Sequence, residues 1–278
     1  MLTITTCLAY PEPPSNLLPL ADALTRDGIP TAFAPWQNRP KSAFILPLCA
    51  WDYAAEPEAF GQWLTEAEAC GQRFINPVGL MRWNMDKRYL CDLAEWGADV
   101  IPSVQTSSEK EKLEDILKNQ SWREAVVKPV IGQSGRGVAK IRAGEVSLKA
   151  EDYPQGVIVQ PYIREIETEG ETLLAFFDGR FSHAVLRMPP QGEWRANSAY
   201  GVAVSPAAPP EKAIETARQI LSMLPEIPAY ARIDGTLIGD GLLLNELELV
   251  EPALYLHTAE NAVADMVQAV KRVIAGRR

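Results

Sequence analysis

Two groups of residues have types and spacings that could do chemistry. The first is residues 125–141, AVVKPVIGQSGRGVAKI, a β-branched run ending in Lys128, a loop with three glycines, and a second apolar run. Gly132, Gly135 and Gly137 follow neither G-x-G-x-x-G nor G-x-x-x-x-G-K-[ST]. Both of those motifs feed a helix, whereas residues 138–141 have the Val and Ile of a strand, so the loop reads as a solvent-exposed hairpin tip. Glycines let the backbone adopt positive φ and approach an anion closely, so successive N–H groups can point at one phosphate. Lys128 stands at the base as a point charge. An ordinary glycine-rich hairpin explains the same residues equally well at this stage.

The second group is acidic. Asp234 precedes Glu246 by twelve residues, and Glu246 and Glu248 are two apart in LLLNELELV, so both glutamates project from one face of a strand. Three converging carboxylates would repel one another and raise their own pKa values unless a cation compensates. An all-oxygen set of this kind suits Mg²⁺. Arg232, two residues before Asp234, points to the same side and could neutralise an anion beside the metal. The alternative is an exposed edge strand whose acids guard against aggregation.

The elements that must position these groups can be read along the chain. Residues 2–9, 31–35 and 43–48 read as strands and 16–27 as a helix, the alternation of a small parallel α/β unit that binds ligands at strand ends. Trp51, Asp52 and Tyr53 follow the third strand directly; Trp51 and Tyr53 read equally as core aromatics or as a substrate wall that includes Asp52. Residues 57–70 form an amphipathic helix with Phe60, Trp63, Leu64 and Ala67 on one side. Residues 74–77 read as a short connector strand, and 79–97 as a helix with Lys87 in its first turns and Tyr89, Leu90, Leu93 and Trp96 on one face. Residues 101–104 read as extended and 109–119 as a helix with a charged outer side.

Residues 156–163, GVIVQPYI, read as a strand ending in a hinge. A purine resting there needs one backbone C=O for its amino group and one N–H two residues on, which Pro161 and Ile163 can supply. An acidic hinge at 164–171 leads to a hairpin over 172–177 and 180–188. Residues 189–201 form a polar loop holding Arg195, Asn197 and Ser198, which also reads as a plain surface connection. A helix over 211–224, strands over 230–234 and 242–248, and a closing helix over 261–275 complete the chain.

At 278 residues with a net charge of −9, the chain supports two or three modules and lacks the basic clusters that nonspecific nucleic-acid binding needs. Cys7, Cys49, Cys70 and Cys91 are widely spaced and form no C-x-x-C, which suits buried thiols in a reducing compartment. With no apolar leader and no apolar run of about 18 residues, the expectation is a cytoplasmic protein that neither crosses nor binds a membrane.

The order Lys87, Lys128 with its glycine hairpin, QPYI, an arginine loop, R-I-D and E-L-E resembles the ATP-grasp superfamily over most of the chain. The layout is similar to glutathione synthetase and the ribosomal-protein glutamate ligase. W-D-Y, N-P-x-x-L-x-R-W-N-x-D-K-x-Y-L and N-E-L-E-L-V-E-P are closer to the O-ureido-serine cyclo-ligase type of cycloserine biosynthesis. The resemblance implies a mixed α/β ATP-grasp fold with a Rossmann-like N-terminal domain at 1–76, a central lid subdomain with the flap at 77–158, and a C-terminal subdomain with the metal site at 159–278.

It further implies that Lys87 and Lys128 bind the α- and β-phosphates of ATP under a mobile flap, Gln133–Gly137, which includes Ser134 and Gly135. Gln160, Pro161, Tyr162 and Ile163 would hold adenine. Glu171 would bind ribose, with Glu165 or Glu167 as substitutes. Asp234, Glu246 and Glu248 would hold two Mg²⁺ ions, with Mn²⁺ as a replacement, although Glu248 departs from the asparagine of many members. Arg232, Arg187 and Arg195 would stabilise the transferring phosphoryl group. Trp51, Asp52, Tyr53, Asn197 and Ser198 would face the substrate, while Cys49-Ala50 stands where related sequences carry Arg-Ser. The implied activity is an ADP-forming carboxylate–amine ligase acting through an acyl phosphate on a small amino-acid-like substrate in specialised metabolism. Its partners would be small carboxylates and amines, in a homo-oligomer, dimer or tetramer. A non-catalytic ATP-binding protein and a phosphotransferase on the same fold are the alternatives.

Overall fold

The computed structural model describes residues 1–276. Three sheets carry the fold. The first is parallel, in the order β2-β1-β3-β4, from β1 (Leu2–Thr6), β2 (Thr31–Pro35), β3 (Phe44–Leu46) and β4 (Arg73–Phe74). Parallel strands need crossovers that cover them, supplied by α1 (Leu18–Arg26) and α2 (Pro57–Ala69). The α2 spacing works as read, with Phe60, Trp63, Leu64 and Ala67 all buried. Because β2 and β3 flank β1 on opposite sides, the chain reverses direction across the sheet there, and the crevice outside those strand ends is where open α/β sheets hold ligands. Trp51 and Tyr53 lie just beyond the end of β3.

Residues 79–97 form two helices where one is expected. They are α3 (Val78–Asn84) and α4 (Tyr89–Glu95), with Lys87 in the break between them. The break follows from what its flanks hold. Asn84 donates Nδ2–H to the Leu247 carbonyl at 2.7 Å and accepts the Leu249 N–H at 2.8 Å. The Tyr89 hydroxyl accepts the Leu247 N–H at 2.8 Å, and the Lys87 N–H reaches the Val130 carbonyl at 2.7 Å. Trp96 does not share the buried face. It lies just past α4, is 46% exposed, and stacks on Trp83 with ring centroids 5.6 Å apart.

The second sheet is antiparallel, in the order β5-β8-β6-β7, from β5 (Val104–Thr106), β6 (Glu124–Pro129), β7 (Ala139–Arg142) and β8 (Val157–Pro161), with α5 (Lys110–Asn119) packing Leu113 and Leu117 against it. Residue 158 is interior to β8, so this sheet continues to Pro161. Pairing with β5 ends at Val159, so the missing N–H of Pro161 falls where no second neighbour needs it. The expected acidic hinge is a short helix, α6 (Arg164–Glu169), stopped by Gly170 at φ 82°.

The third sheet is antiparallel, in the order β11-β10-β9-β12-β13, from β9 (Glu171–Phe177), β10 (Arg180–Met188), β11 (Ala203–Ala207), β12 (Tyr230–Ile238) and β13 (Gly241–Glu248). β11 has no counterpart in the sequence reading: it is an edge strand, mostly exposed and carrying Pro206, so it lacks the alternation that marks a half-buried strand. α3, α4 and α7 (Glu211–Ser222) share a core with this sheet, while α8 (Ala262–Ile274) returns to pack with the first one. Cys7 and Cys49 are buried, but Cys70 is exposed just beyond the end of α2, contrary to the expectation of buried thiols throughout. Among the described residues no helix is long and apolar enough to cross a membrane.

Asn84 and Asn76 pin the Glu246–Leu249 region from behind; Asn76 donates to the carbonyls of Tyr230 and Leu249 at 2.8 and 2.9 Å. Asn84→Ala leaves one buried carbonyl and one buried N–H without partners, at about 1–3 kcal/mol each. The free energy of unfolding should fall by roughly 2–6 kcal/mol in total, and the urea midpoint should drop with it. A midpoint equal to that of the wild type would show that the strand does not depend on this clamp.

Candidate active site

The charged residues meet across β12 and β13. Register sets Asp234 opposite Glu246 and Arg232 opposite Glu248, so all four share one face. A β-bulge interrupts this pairing: Asp234 pairs with Glu246 but Gly235 with Leu244, leaving Asn245 as the extra residue. Asn245 thereby lines the same cavity as Glu246. Strict period-two alternation would send it to the other face, which is why the sequence reading missed it.

Asp234 is fully buried beneath this face. Arg232 donates to its two oxygens at 2.8 and 2.7 Å, and Arg187 on β10 donates at 3.1 Å. Each arginine also reaches an acid at the cavity, Arg187 to Glu171 and Arg232 to Glu248. Lys87 forms an ion pair with Glu246. Lys128 donates to Asn245 Oδ1 at 2.6 Å, and the Asn245 amide donates to Glu171. Thus residues from β6, β9, β10, β12 and β13 form one connected network, and the Lys87–Glu246 pair from the helix break and β13 stands beside it.

Enclosure sets the electrostatics. Burial alone would raise the Glu246 carboxyl, but Lys87 and Lys128 hold it below the usual carboxylate range. Burial pushes the Glu248 carboxyl up; Arg232 opposes this, while Asp234 and Glu246 add to it. Burial likewise disfavours the Lys87 ammonium, yet Glu246 more than offsets it and the pKa rises. Lys128 goes the other way: burial lowers its pKa, Glu246 opposes, and Lys87 adds to the fall.

The glycine loop does join two paired strands, β6 and β7. Ser134, Gly135 and Gly137 lie at φ 54°, 70° and 70°, the left-handed region. The expected exposed tip is nevertheless docked. Gly135 is buried, and a Cβ there would stand 2.7 Å from Asn197 Oδ1 and 2.9 Å from the Tyr200 ring. The Tyr200 hydroxyl donates to the Gly135 carbonyl at 3.2 Å, and Arg195 lies 3.6 Å over the Tyr200 ring while paired with Glu193. Residues 189–201 are therefore the flap's clasp, not a plain connection. The side chain of Ser198 lies outside the described residues.

Lys87, Lys128, Gln133, Ser134, Gly135, Gln160, Pro161, Tyr162, Ile163, Glu171, Arg187, Arg195, Asn197, Arg232, Glu246, Glu248, Trp51 and Tyr53 all line one cavity. Tyr162 has Lys140 over its ring at 3.5 Å and the Trp194 edge at 6.2 Å. Gln160 turns its amide to Ser103 Oγ at 3.0 Å. Glu167 accepts from the Tyr162 hydroxyl, and of the three acids considered for ribose only Glu171 lines the cavity. Asp52 does not join the site: it accepts from Trp36 Nε1 at 2.6 Å and Gln37 Nε2 at 2.7 Å, which anchors the loop carrying Trp51. Trp194, Glu251 and Tyr255 also line the cavity and were not singled out from sequence.

Glu246 and Glu248 fit a divalent cation, being oxygen donors on one strand face open to the cavity, where phosphate oxygens could complete a shell. Asp234 lies behind them, closed between two arginines. Among the described residues no three such side chains surround a common point.

The model of the prokaryotic glutathione synthetase ATP-grasp domain matches residues 92–252, more than half of the chain. The chain belongs to the ATP-grasp ligase family. Residues 2–76 match the N-terminal domain of D-cycloserine synthetase DcsG. The chain is 27% identical to the cycloserine biosynthesis protein DcsG of Streptomyces lavendulae, over 92% of each chain. It is 29% identical to glutathione synthetase of Parasynechococcus marenigrum, over 68% of this chain and 60% of that one. The crystal structure of D-cycloserine synthetase DcsG superposes with a TM-score of 0.81 at 25% identity, covering 98% of this chain and 99% of that one. D-alanine–D-alanine ligase of Bacillus anthracis shares the fold, at a TM-score of 0.66 and 14% identity over 100% of this chain and 99% of that one. ATP-grasp ligases use ATP and a divalent metal, and this cavity offers cations for the one and oxygen donors for the other.

Gly135→Val combines a strained positive φ with a clash against Asn197 and Tyr200, so the flap should leave its clasp. Amides of residues 132–138 should then exchange with deuterium faster than in the wild type while those of β9 stay protected. Equal protection in both proteins would show that the clasp does not hold the flap.

Proposed function

We propose that this ATP-grasp ligase activates the carboxylate of a small amino-acid-like substrate and joins it to an amine. The carboxylate oxygen bonds to the γ-phosphorus of ATP as the bond to the β-phosphate oxygen breaks, giving an acyl phosphate and ADP. The amine nitrogen then attacks the acyl carbon, and phosphate leaves. The observation that carries this reading is a single cavity joining Lys87, Lys128, Arg187, Arg195 and Arg232 to Glu246 and Glu248 under a glycine flap. Phosphoryl transfer needs positioning and charge neutralisation more than covalent help.

Lys87 and Lys128 take the phosphates of ATP, and the backbone of residues 133–135 closes over them. Arg232 and Arg187, already oriented by Asp234, face the transferred group, and Arg195 approaches it from the clasp. The end of β8 and Tyr162 hold the base, with Glu171 toward the ribose. Mg²⁺ or Mn²⁺, as two ions, would neutralise phosphate charge from Glu246 and Glu248. Trp51, Tyr53 and Asn197 enclose the substrate. Similarity to a cycloserine biosynthesis protein over nearly the whole chain supports an amino-acid-like substrate in specialised metabolism.

ADP release, measured over a panel of acids with hydroxylamine as trap, tests the reading directly. An acyl phosphate yields a hydroxamate, whereas a phosphotransferase yields a stable phosphorylated product. Glu246→Gln should lower hydroxamate formation by about a hundredfold or more with little change in unfolding temperature. Nucleotide binding with no hydroxamate from any acid, or full activity in the variant, would overturn it.

A further inference from the structure

The cavity's acids are paired with one exception. Glu246 has Lys87, Glu248 has Arg232, and Glu171 has Arg187 and Asn245. Among the described residues no hydrogen bond or ion pair reaches the carboxylate of Glu251, which lines the same cavity. Its backbone is nevertheless tightly held. On one side the Tyr230 hydroxyl donates to the Val250 carbonyl at 2.8 Å. On the other, Arg232 Nη1 donates to the Ala253 carbonyl at 3.1 Å, and His183 Nε2 contacts the Leu254 carbonyl at 2.8 Å. Pro252 further disfavours helical backbone at Glu251. A carboxyl fixed this firmly, with no direct hydrogen-bond or ion-pair partner among the described residues, is stabilised in its charged form when a cation arrives.

Its surroundings locate it. Glu251 shares the cavity with Trp51 and Tyr53, just beyond the end of β3, and after burial its charge is the next cause that raises the pKa of Cys49 and Tyr53 there. That wall carries no positive charge: Cys49 and Ala50 are buried there and the Trp51 indole follows, backed edge-on by Tyr10 at 6.2 Å. Burial pushes the Glu251 carboxyl well up, Glu248 adds to the rise, and Arg232 opposes it.

We propose that Glu251 is the specificity residue that receives the positively charged nitrogen of the substrate, seated between its carboxylate and Trp51. An ammonium there gains a charge-assisted hydrogen bond and an aromatic neighbour, and it supplies the counter-charge that Glu251 lacks. Acids without an amine gain neither. The assignment rests on the ligase reading above, because it takes the substrate to be amino-acid-like.

The test uses the full chain loaded with Mg²⁺ and a non-hydrolysable ATP analogue. Saturation-transfer NMR compares glycine, D- and L-alanine, D- and L-serine and 2,3-diaminopropionate with acetate, propionate and 3-hydroxypropionate. At least one amine-bearing probe should bind about tenfold or more tightly than its des-amino counterpart, and Glu251→Gln should abolish that preference. Should the glutamine variant not fold, Glu251→Asp carries the test: drawing the carboxylate back by one methylene should weaken amine binding but keep the preference, and unchanged affinity would overturn the assignment. No amine binding to the wild type, equal binding of the des-amino acids, or a preference that survives Glu251→Gln also overturns it. So does a loss of nucleotide loading in Glu251→Gln with the amine preference intact, which would place the residue on the phosphate side. Failure of the ligase reading shows separately, as absence of hydroxamate.

Discussion

The Asp234 carboxylate between two guanidinium groups is the interaction on which the site's geometry depends. Arg232 and Arg187 each spend one part of their donor set on this fully buried acid and another on an acid at the cavity wall. Buried ion pairs are poor evidence for stability, since desolvation cancels much of their attraction. Their use here is directional. Arg232 is gripped through Nε and Nη2 by both Asp234 oxygens, and Arg187 Nη2 bridges Asp234 and Glu171, so neither guanidinium turns freely and Glu171 and Glu248 are presented at fixed positions.

Strand register extends that constraint outward. Asp234 and Arg232 sit two apart on β12, opposite Glu246 and Glu248 on β13, and the Asn76 and Asn84 side chains hold the far end of β13 to the helix region that supplies Lys87. The lysine therefore need not be positioned by helical geometry. It sits in a break whose two flanks are both bonded to Leu247, one residue beyond its partner Glu246. Phosphate-side and acid-side groups share one mechanical support.

What the sequence made legible follows from the same physics. Lys128 with its glycine hairpin and the Arg232, Asp234, Glu246 and Glu248 set could be read because period-two alternation and loop chemistry are local. Asn245 could not, because a bulge is a mismatch between two strands and neither strand shows it alone. The helix break around Lys87 was hidden for a related reason, as its cause lies in carbonyl and N–H groups some 160 residues away in sequence. Asp52 was misplaced because a carboxylate beside two aromatics looks like a substrate wall until Trp36 and Gln37 are known to occupy it. Glu251 stands in the N-E-L-E-L-V-E-P run, but its spacing from the other acids assigned it no role. Its significance comes from what fails to pair with it.

The resting charge pattern also limits how the site can be filled. Lys87 neutralises Glu246 and Arg232 neutralises Glu248, so the two acids that would hold the metal already stand in opposed pairs, while among the described residues Lys128 is bonded only to the Asn245 amide. A nucleotide entering alone would set its phosphates against Glu246 and Glu248. A divalent cation entering alone would meet the lysine and arginine that those acids now hold. Either arrival leaves like charges facing one another in an enclosed space where repulsion is weakly screened. Together they permit an exchange of partners, lysines to phosphates and acids to metal, in which Glu246, Glu248 and the cations that now hold them all keep an opposite charge. The paired acids and bases are thus suited to a metal–nucleotide complex rather than to either component alone, and Glu251, outside that exchange, stays available to a different cation.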